Sequence, residues 1–308
     1  MTTTHPHALA DREAAPDTSD LLSLLPVALD AVRAGASLAL DPGEALRIGT
    51  KRNRNDVVTQ VDRGVEELIA GRLAATGYGL IGEEGHAADS WAGRVWVLDP
   101  IDGTLNYVAV HRHWAISLAL VEDGEPVLGV VADPVDDRLY VALAGGGAWE
   151  GRLEPGREGS DDGGASATGG GATGTDVPDG ADVVTALVPG ARRLAVEDVP
   201  LADGVVIAQL HALAALRHLP AICELTRGMR CYGAAALELA EVAAGRAGAL
   251  VHTRLQPWDV AAGVLLCTEA GAVVSRLDGT RADVREPGSL LAGTPSAAAE
   301  VVRRLVEG

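Results

Sequence analysis

Residues 114–134, WAISLALVEDGEPVLGVVADP, hold two apolar runs on either side of Glu122-Asp123-Gly124-Glu125. An Asp-Gly pair flanked by such runs joins antiparallel strands through a tight turn, so the stretch predicts a β-hairpin. The neighbouring segments extend this strand-rich block. VWVL at 95–98 is a short apolar run closing on Asp-Pro and predicts a buried strand. RLYVALAGGGAWEG predicts a further strand pair around a Gly-rich turn.

Helical patterns surround the block. Asp17-Thr18-Ser19-Asp20 is a capping cluster ahead of LLSLLPVALDAVRAGASLAL, which predicts a long amphipathic helix with Pro26 in an early turn. A second helix is expected from near Asp62 to Gly77. After residue 182 the apolar run VVTALV resumes ordered structure, and residues 201–228 mix strand-like and helical pieces. AAALELAEVAAG reads as a helix ended by Gly245, AGALVHT as a strand, and WDVAAGVLLCTEAG as a helix ended by Gly271. AVVSRLDG reads as a strand and turn, and PSAAAEVVRRLVEG as a closing helix. Helices and strands are mixed throughout, which defines an α/β or mixed α+β class. The organisation expected is a loose tail over 1–17, an N-terminal part over 18–150 and a C-terminal part over 183–308. Between the two parts, residues 154–182 are rich in Gly, Ser, Asp and Thr. Such a segment buries too little apolar surface to offset its ordering entropy, so a flexible insertion is expected. No Lys follows its glycines in the pattern of a phosphate-binding P-loop.

Composition narrows the function. The chain carries 47% hydrophobic residues and no Phe, so small aliphatic side chains must fill its core. A net charge of −18 repels phosphate backbones and argues against nucleic-acid binding, while bound divalent cations would invert the field locally. Three irregularly spaced cysteines, Cys223, Cys231 and Cys267, form no CxxC pair; reduced, mostly buried thiols of a cytoplasmic protein are expected. The first twenty residues lack the apolar core of a signal peptide, and no membrane span is expected.

Four short motifs carry candidate chemistry. In VWVLDPIDGT, Asp99 and Asp102 stand three apart at the end of the apolar run, with Pro100 blocking strand continuation and Thr104 near a helix start. Such a turn aims two carboxylates at one point, and oxygen-only ligands suit a hard cation such as Mg²⁺. Free N–H groups at a helix start suit a phosphate. An Asx-type turn capping a helix is the plainer reading of the same residues. IGEEGH places Glu83 after an apolar pair, although adjacent glutamates commonly form a solvated face. Asp62, in NDVVTQVD, and Asp259, in QPWDVAAG, each read as a helix cap when taken alone. His111 and His113 form an HxH with no nearby partner for zinc, so an ordinary strand entry is expected.

Together, and in this order, these motifs resemble the inositol monophosphatase family of lithium-sensitive, metal-dependent phosphatases. DVVTQVD, IGEEG, VWVLDPIDGTLNYV, AISLALVEDGEPVLGVVADP and the region from YGAAALELAEVAAG to QPWDVAAGVLLCTEAGAVV carry the resemblance. It spans about residues 19–308 apart from 154–182. It implies a layered αβαβα sugar-phosphatase-type fold, a homodimer, and hydrolysis of a small phosphate monoester by a metal-activated water. The implied cofactor is Mg²⁺, in two or three ions. Glu83 matches a metal-binding glutamate that helps activate the water. Asp99 matches the carboxylate that bridges two metals, Ile101 the position whose carbonyl binds the first, and Asp102 and Asp259 the ligands of the second. Thr104 matches the threonine that orients the water, and Asp62 the aspartate that polarises it. Gly103 and Thr104 would present N–H groups to the phosphate, Gly233 would line the substrate side, and Lys51 has the spacing of an active-site lysine.

The chain also departs from the family pattern. His252 stands where inositol phosphatases often carry a substrate-binding glutamate, Ala234 where Ser or Thr is common, and Leu105 where polar residues are frequent. Inositol 1-phosphate is the leading substrate expected, with a sugar phosphate, histidinol phosphate or nucleotide 3′-phosphate as alternatives. A non-catalytic binding protein on this fold is the rival from another class.

Overall fold

A computed structural model describes residues 18–43, 58–88, 90–154 and 180–307. The expected tail at 1–17, Lys51 and nearly all of the 154–182 insertion lie outside these residues.

Helix α1 (Thr18–Leu40) and helix α2 (Val58–Leu73) pack together and onto one face of a seven-stranded sheet. Its strands are β1 (Gly79–Gly82), β2 (Arg94–Asp102), β3 (Ala115–Glu122), β4 (Glu125–Asp133), β5 (Arg138–Leu143), β6 (Gly147–Arg152) and β7 (Arg192–Arg193), in that spatial order. The pair β1–β2 is parallel and the others are antiparallel. The predicted hairpin is β3–β4, with Glu122 opposite Glu125. Asp123 and Gly124 both take positive φ, 50° and 91°, as a two-residue turn between twisted strands requires.

Pro26 lies inside α1, past its opening turn. By length and composition alone, Ser19–Leu40 is long and apolar enough to cross a membrane. In the fold, Leu21, Leu25, Leu29 and Val32 of this helix are buried in the core. That burial outweighs the backbone hydrogen bond that Pro26 removes. Helix α2 begins at Val58, earlier than expected, so Asp62 lies within it rather than at its cap.

Strand β2 runs through Pro100 instead of stopping there. Its parallel partner β1 ends opposite Leu98, and its pairing with β3 shifts register between Asp99 and Asp102. The missing Pro100 N–H therefore breaks no ladder bond.

After helix α3 (Thr104–Ala109), between β2 and β3, and helix α4 (Gly180–Leu187), the chain builds a second sheet. It has the order β11 (Val273–Ser275), β12 (Gly288–Gly293), β10 (Ala249–Leu255), β8 (Val206–Ala208) and β9 (Met229–Arg230). Helices α7 (Ala235–Ala243) and α8 (Pro257–Glu269) lie between the sheets and touch both. Helices α5 (Leu210–Ala215), α6 (Leu219–Glu224) and α9 (Pro295–Glu307) cover the far face. The layers run helix, sheet, helix, sheet, helix, which is the αβαβα arrangement expected. Trp96, Trp114, Trp149 and Tyr140 are the largest fully buried side chains, and aliphatic residues fill the rest of the core. Cys267 is buried, but Cys223 is only half-buried and Cys231 is exposed, so the thiols are less buried than expected.

Candidate metal centre

The site lies where β2 ends and α8 begins. Asp99 and Asp102 are carried by the irregular end of β2, and Asp259 stands in the first turn of α8. Ligand oxygens of these three residues all lie within 4.8 Å of one another. The local causes are readable. Asp99 Oδ1 accepts the Ile101 N–H at 3.0 Å, which curls the chain around Pro100. Asp259 closes a capping box: its Oδ2 accepts the Gln256 N–H at 2.7 Å. The cap expected for Asp259 is therefore real, and the same carboxylate also belongs to the acidic cluster.

Asp102 is held by the far part of the chain. Ala235 N–H donates to its Oδ1 at 3.1 Å and Ala236 N–H to its Oδ2 at 2.6 Å, both from the opening turn of α7. These donors were not foreseen. Nothing in the side chain of an alanine announces that its backbone amide will meet an aspartate more than a hundred residues away.

Burial and like charge act together here. Asp99 and Asp102 are 2% and 7% exposed. Burial first, then the charges of Asp102, Glu83 and Asp259, pushes Asp99 well above the ordinary carboxylate range. Burial, then Asp259, does the same to Asp102 against the opposing pull of its two amide donors. Burial also raises Asp259. Glu83, on the turn after β1, is pushed up to about 7 by partial burial and then by Asp259. Asp62 is buried, its Oδ2 has no hydrogen-bond partner, and burial followed by Glu84 and Glu83 pushes it up to about 8. A cation among these groups would relieve both the repulsion and the desolvation. The donor set is all oxygen, which fits Mg²⁺.

Thr104 begins α3, as expected. Its hydroxyl donates to the Ile101 carbonyl at 3.1 Å, while Asp62 Oδ2 has no hydrogen-bond partner. Gly103, at φ 85°, caps α3. A Cβ there would sit 2.9 Å from Ala234 Cβ and 3.1 Å from Gly233 O. The two glycines expected at the substrate side thus lie against each other. Asn106, which the sequence did not single out, ties the loops around them: its Nδ2 donates to His113 O at 2.8 Å and Tyr232 O at 2.6 Å. Fully buried Glu238 accepts the N–H groups of Tyr232 and Gly233, each at 2.9 Å.

His252 lies on β10, 4% exposed, with its Nδ1 accepting the Arg254 N–H at 3.2 Å. Its ring and that of His211 form a T-shaped pair with centroids 5.2 Å apart. Burial, and then His211, lowers it to about 4, so the imidazole is neutral. His111 and His113 occupy the loop leading into β3, both at φ 59°.

The comparisons with known proteins agree with this geometry. The sequence matches the inositol monophosphatase family over residues 20–308. It is 37% identical to inositol-1-monophosphatase of Bacillus subtilis (strain 168), covering 85% of this chain and 88% of that one. It is 33% identical to Nus factor SuhB of Xylella fastidiosa, covering 79% of each. Among solved structures, the inositol monophosphate-bound form of SaIMPase-II, from Staphylococcus aureus, superposes with a TM-score of 0.72 at 28% identity, over 93% of this chain and 96% of that one. The chain therefore belongs to the inositol monophosphatase family, and it is a phosphatase.

Proposed function

We propose that this chain hydrolyses a small phosphate monoester, inositol 1-phosphate first among them, in a reaction that depends on Mg²⁺. The observation that carries the reading is the set of three carboxylates whose oxygens lie within 4.8 Å of one another, two of them buried and one partly so. The strongest charges acting on Asp99 are all carboxylates, a costly arrangement without a cation. Asp99, Asp102, Asp259, Glu83 and the Ile101 carbonyl would hold two or three Mg²⁺ ions. Bound there, Mg²⁺ would neutralise the phosphate dianion, acidify a water and stabilise the leaving alkoxide.

The chain's own residues supply the rest. Backbone N–H groups of Gly103 and Thr104 bind phosphate oxygens, and the left-handed Gly103 brings them close. Thr104 orients the attacking water and Asp62 polarises Thr104. That role requires the Thr104 hydroxyl to exchange its Ile101 acceptor for the unpartnered Asp62 Oδ2. Gly233 and His252 serve the alcohol portion of the ester, and Lys51, outside the described residues, would bind the phosphate. A neutral imidazole at His252 offers a hydrogen bond without charge, which keeps a sugar phosphate, histidinol phosphate or nucleotide 3′-phosphate in the test panel. Inhibition by lithium, a homodimer and residence in the cytoplasm complete the reading, the last supported by three unpaired thiols.

The likeness to SuhB raises a second reading, in which the chain acts by binding rather than by catalysis. Retention of the full carboxylate set and the −18 net charge favour catalysis over RNA binding. Phosphate release from a panel of monoesters, with and without Mg²⁺, tests both. Magnesium-dependent release is expected, fastest with inositol 1-phosphate. No release from any ester would favour the binding role.

A further inference from the structure

We infer that Glu66 is the positioning residue that sets the loop carrying Glu83, a role that rests on the metal-site reading above. Glu66 lies one helical turn after Asp62 on α2, so both carboxylates project from one face of the helix. The residue is 2% exposed, and its side chain reaches under residues 82–86. Oε2 accepts the Glu84 N–H at 2.9 Å. Oε1 accepts the His86 N–H at 3.1 Å and lies 2.7 Å from His86 Nδ1.

The loop is closed on itself and on β2 as well. Gly82 N–H donates to His86 O at 2.8 Å, and Glu83 N–H to Leu98 O at 3.3 Å, next to Asp99. Arg63, on the same helix, meets the Glu84 carboxylate at 3.4 Å. Gly82 makes room for the clamp, because a Cβ there would lie 2.3 Å from Glu66 Oε2. Glu83 thus directly precedes the stretch that Glu66 holds through the N–H groups of Glu84 and His86, and it follows Gly82, which is tied to the held His86 through the His86 carbonyl. A buried carboxylate accepting several N–H bonds is a strong, directional tie. It fixes where Glu83 stands relative to Asp62 and Asp99 before any cation arrives.

The test is Glu66→Gln in the full chain. Glutamine keeps the shape but has one accepting oxygen in place of two, and its amide group opposes one N–H donor. Hydrogen exchange without metal is expected to be at least about tenfold faster at Glu84 and His86, with β2 and β3 keeping native protection. Calorimetric Mg²⁺ affinity is expected to weaken by about tenfold to a hundredfold. At saturating Mg²⁺, kcat falls with substrate KM changed less than about threefold. Gly82→Ala pushes the carboxylate aside from the opposite direction and should reproduce this signature, so it decides the matter if Glu66→Gln fails to fold. Native exchange at Glu84 and His86 together with native Mg²⁺ affinity in the variants would overturn the assignment. Failure of the phosphatase reading would look different: no phosphate release from the native chain, with the metal-free loop still loosened by Glu66→Gln.

Discussion

Asp99 and Asp102 stand at the end of a strand in the seven-stranded sheet, whereas Asp259 stands in the first turn of a helix packed between the sheets. The strand side supplies acidity: two carboxylates three residues apart, with Glu83 on the turn after the adjacent strand. The helix side supplies one carboxylate and two backbone donors, the Ala235 and Ala236 amides that grip Asp102. One side concentrates negative charge, and the other holds that charge in a fixed orientation with N–H groups. The contrast teaches that the site exists only when both parts of the chain are docked. Asp102 is where they meet.

The sharpest way to break this comparison is Asp102→Asn. Asparagine removes the charge, and its amide group points a donor at one of the two donors on α7. Magnesium-dependent phosphate release is expected to fall by at least about a hundredfold. Retained activity would mean that the two sides do not share a site.

Gly103→Ala tests the contact between the sides by packing alone. The new methyl meets Ala234 Cβ and Gly233 O, and the residue keeps an unfavourable positive φ. The cost expected is about 2–3 kcal/mol in a denaturant titration. A loss below about 0.5 kcal/mol would show that the loops around Gly103 and Gly233 part easily.

His252, on β10 of the second sheet, tests the C-terminal part through pH. Its folded value of about 4 lies below the ordinary 6.5, so below pH 6.5 the unfolded chain takes up a proton that the folded chain refuses. Stability therefore declines as pH falls from about 6.5 to 4 and is unaffected by this group above that window. The native chain should lose about 2 kcal/mol more across it than His252→Leu does. Parallel slopes for the two proteins would place the imidazole in water.

The smallest effect on stability is expected from Thr104→Val, which removes the hydroxyl bond to Ile101 O at a cost of about 1 kcal/mol. Phosphate release should fall much further than that stability loss accounts for, if the hydroxyl serves the water. An activity loss no larger than the stability effect would confine Thr104 to a structural role.

Much of the scaffold was legible in the sequence because it rests on local chemistry. The Asp123-Gly124 turn and the left-handed glycines Gly245 and Gly271 past the ends of α7 and α8 follow from residue types that favour one backbone conformation. Boundaries were less readable where burial overrode local preference. Pro26 sits inside a helix and Pro100 inside a strand because the surrounding packing tolerates a lost N–H. The acidic residues of the site were legible through the joint resemblance of VWVLDPIDGT and QPWDVAAG to the family's motifs, since each taken alone reads as a turn or a helix cap.

By itself, the order of residues determined that this chain mixes helices with antiparallel strands and that its carboxylates gather at element ends, since periodicity, turn chemistry and capping act over a few neighbours. Only the tertiary structure decided which distant groups answer those carboxylates. Glu66 lies among the exposed-looking charges of a surface helix pattern, yet it is buried under the Glu83 loop. The Ala235 and Ala236 amides are chemically silent in a sequence, yet they orient Asp102. Both depend on backbone donors brought together by packing across the sheets. A backbone N–H is the same at every residue but proline, so no choice of side chain can reveal where it will point.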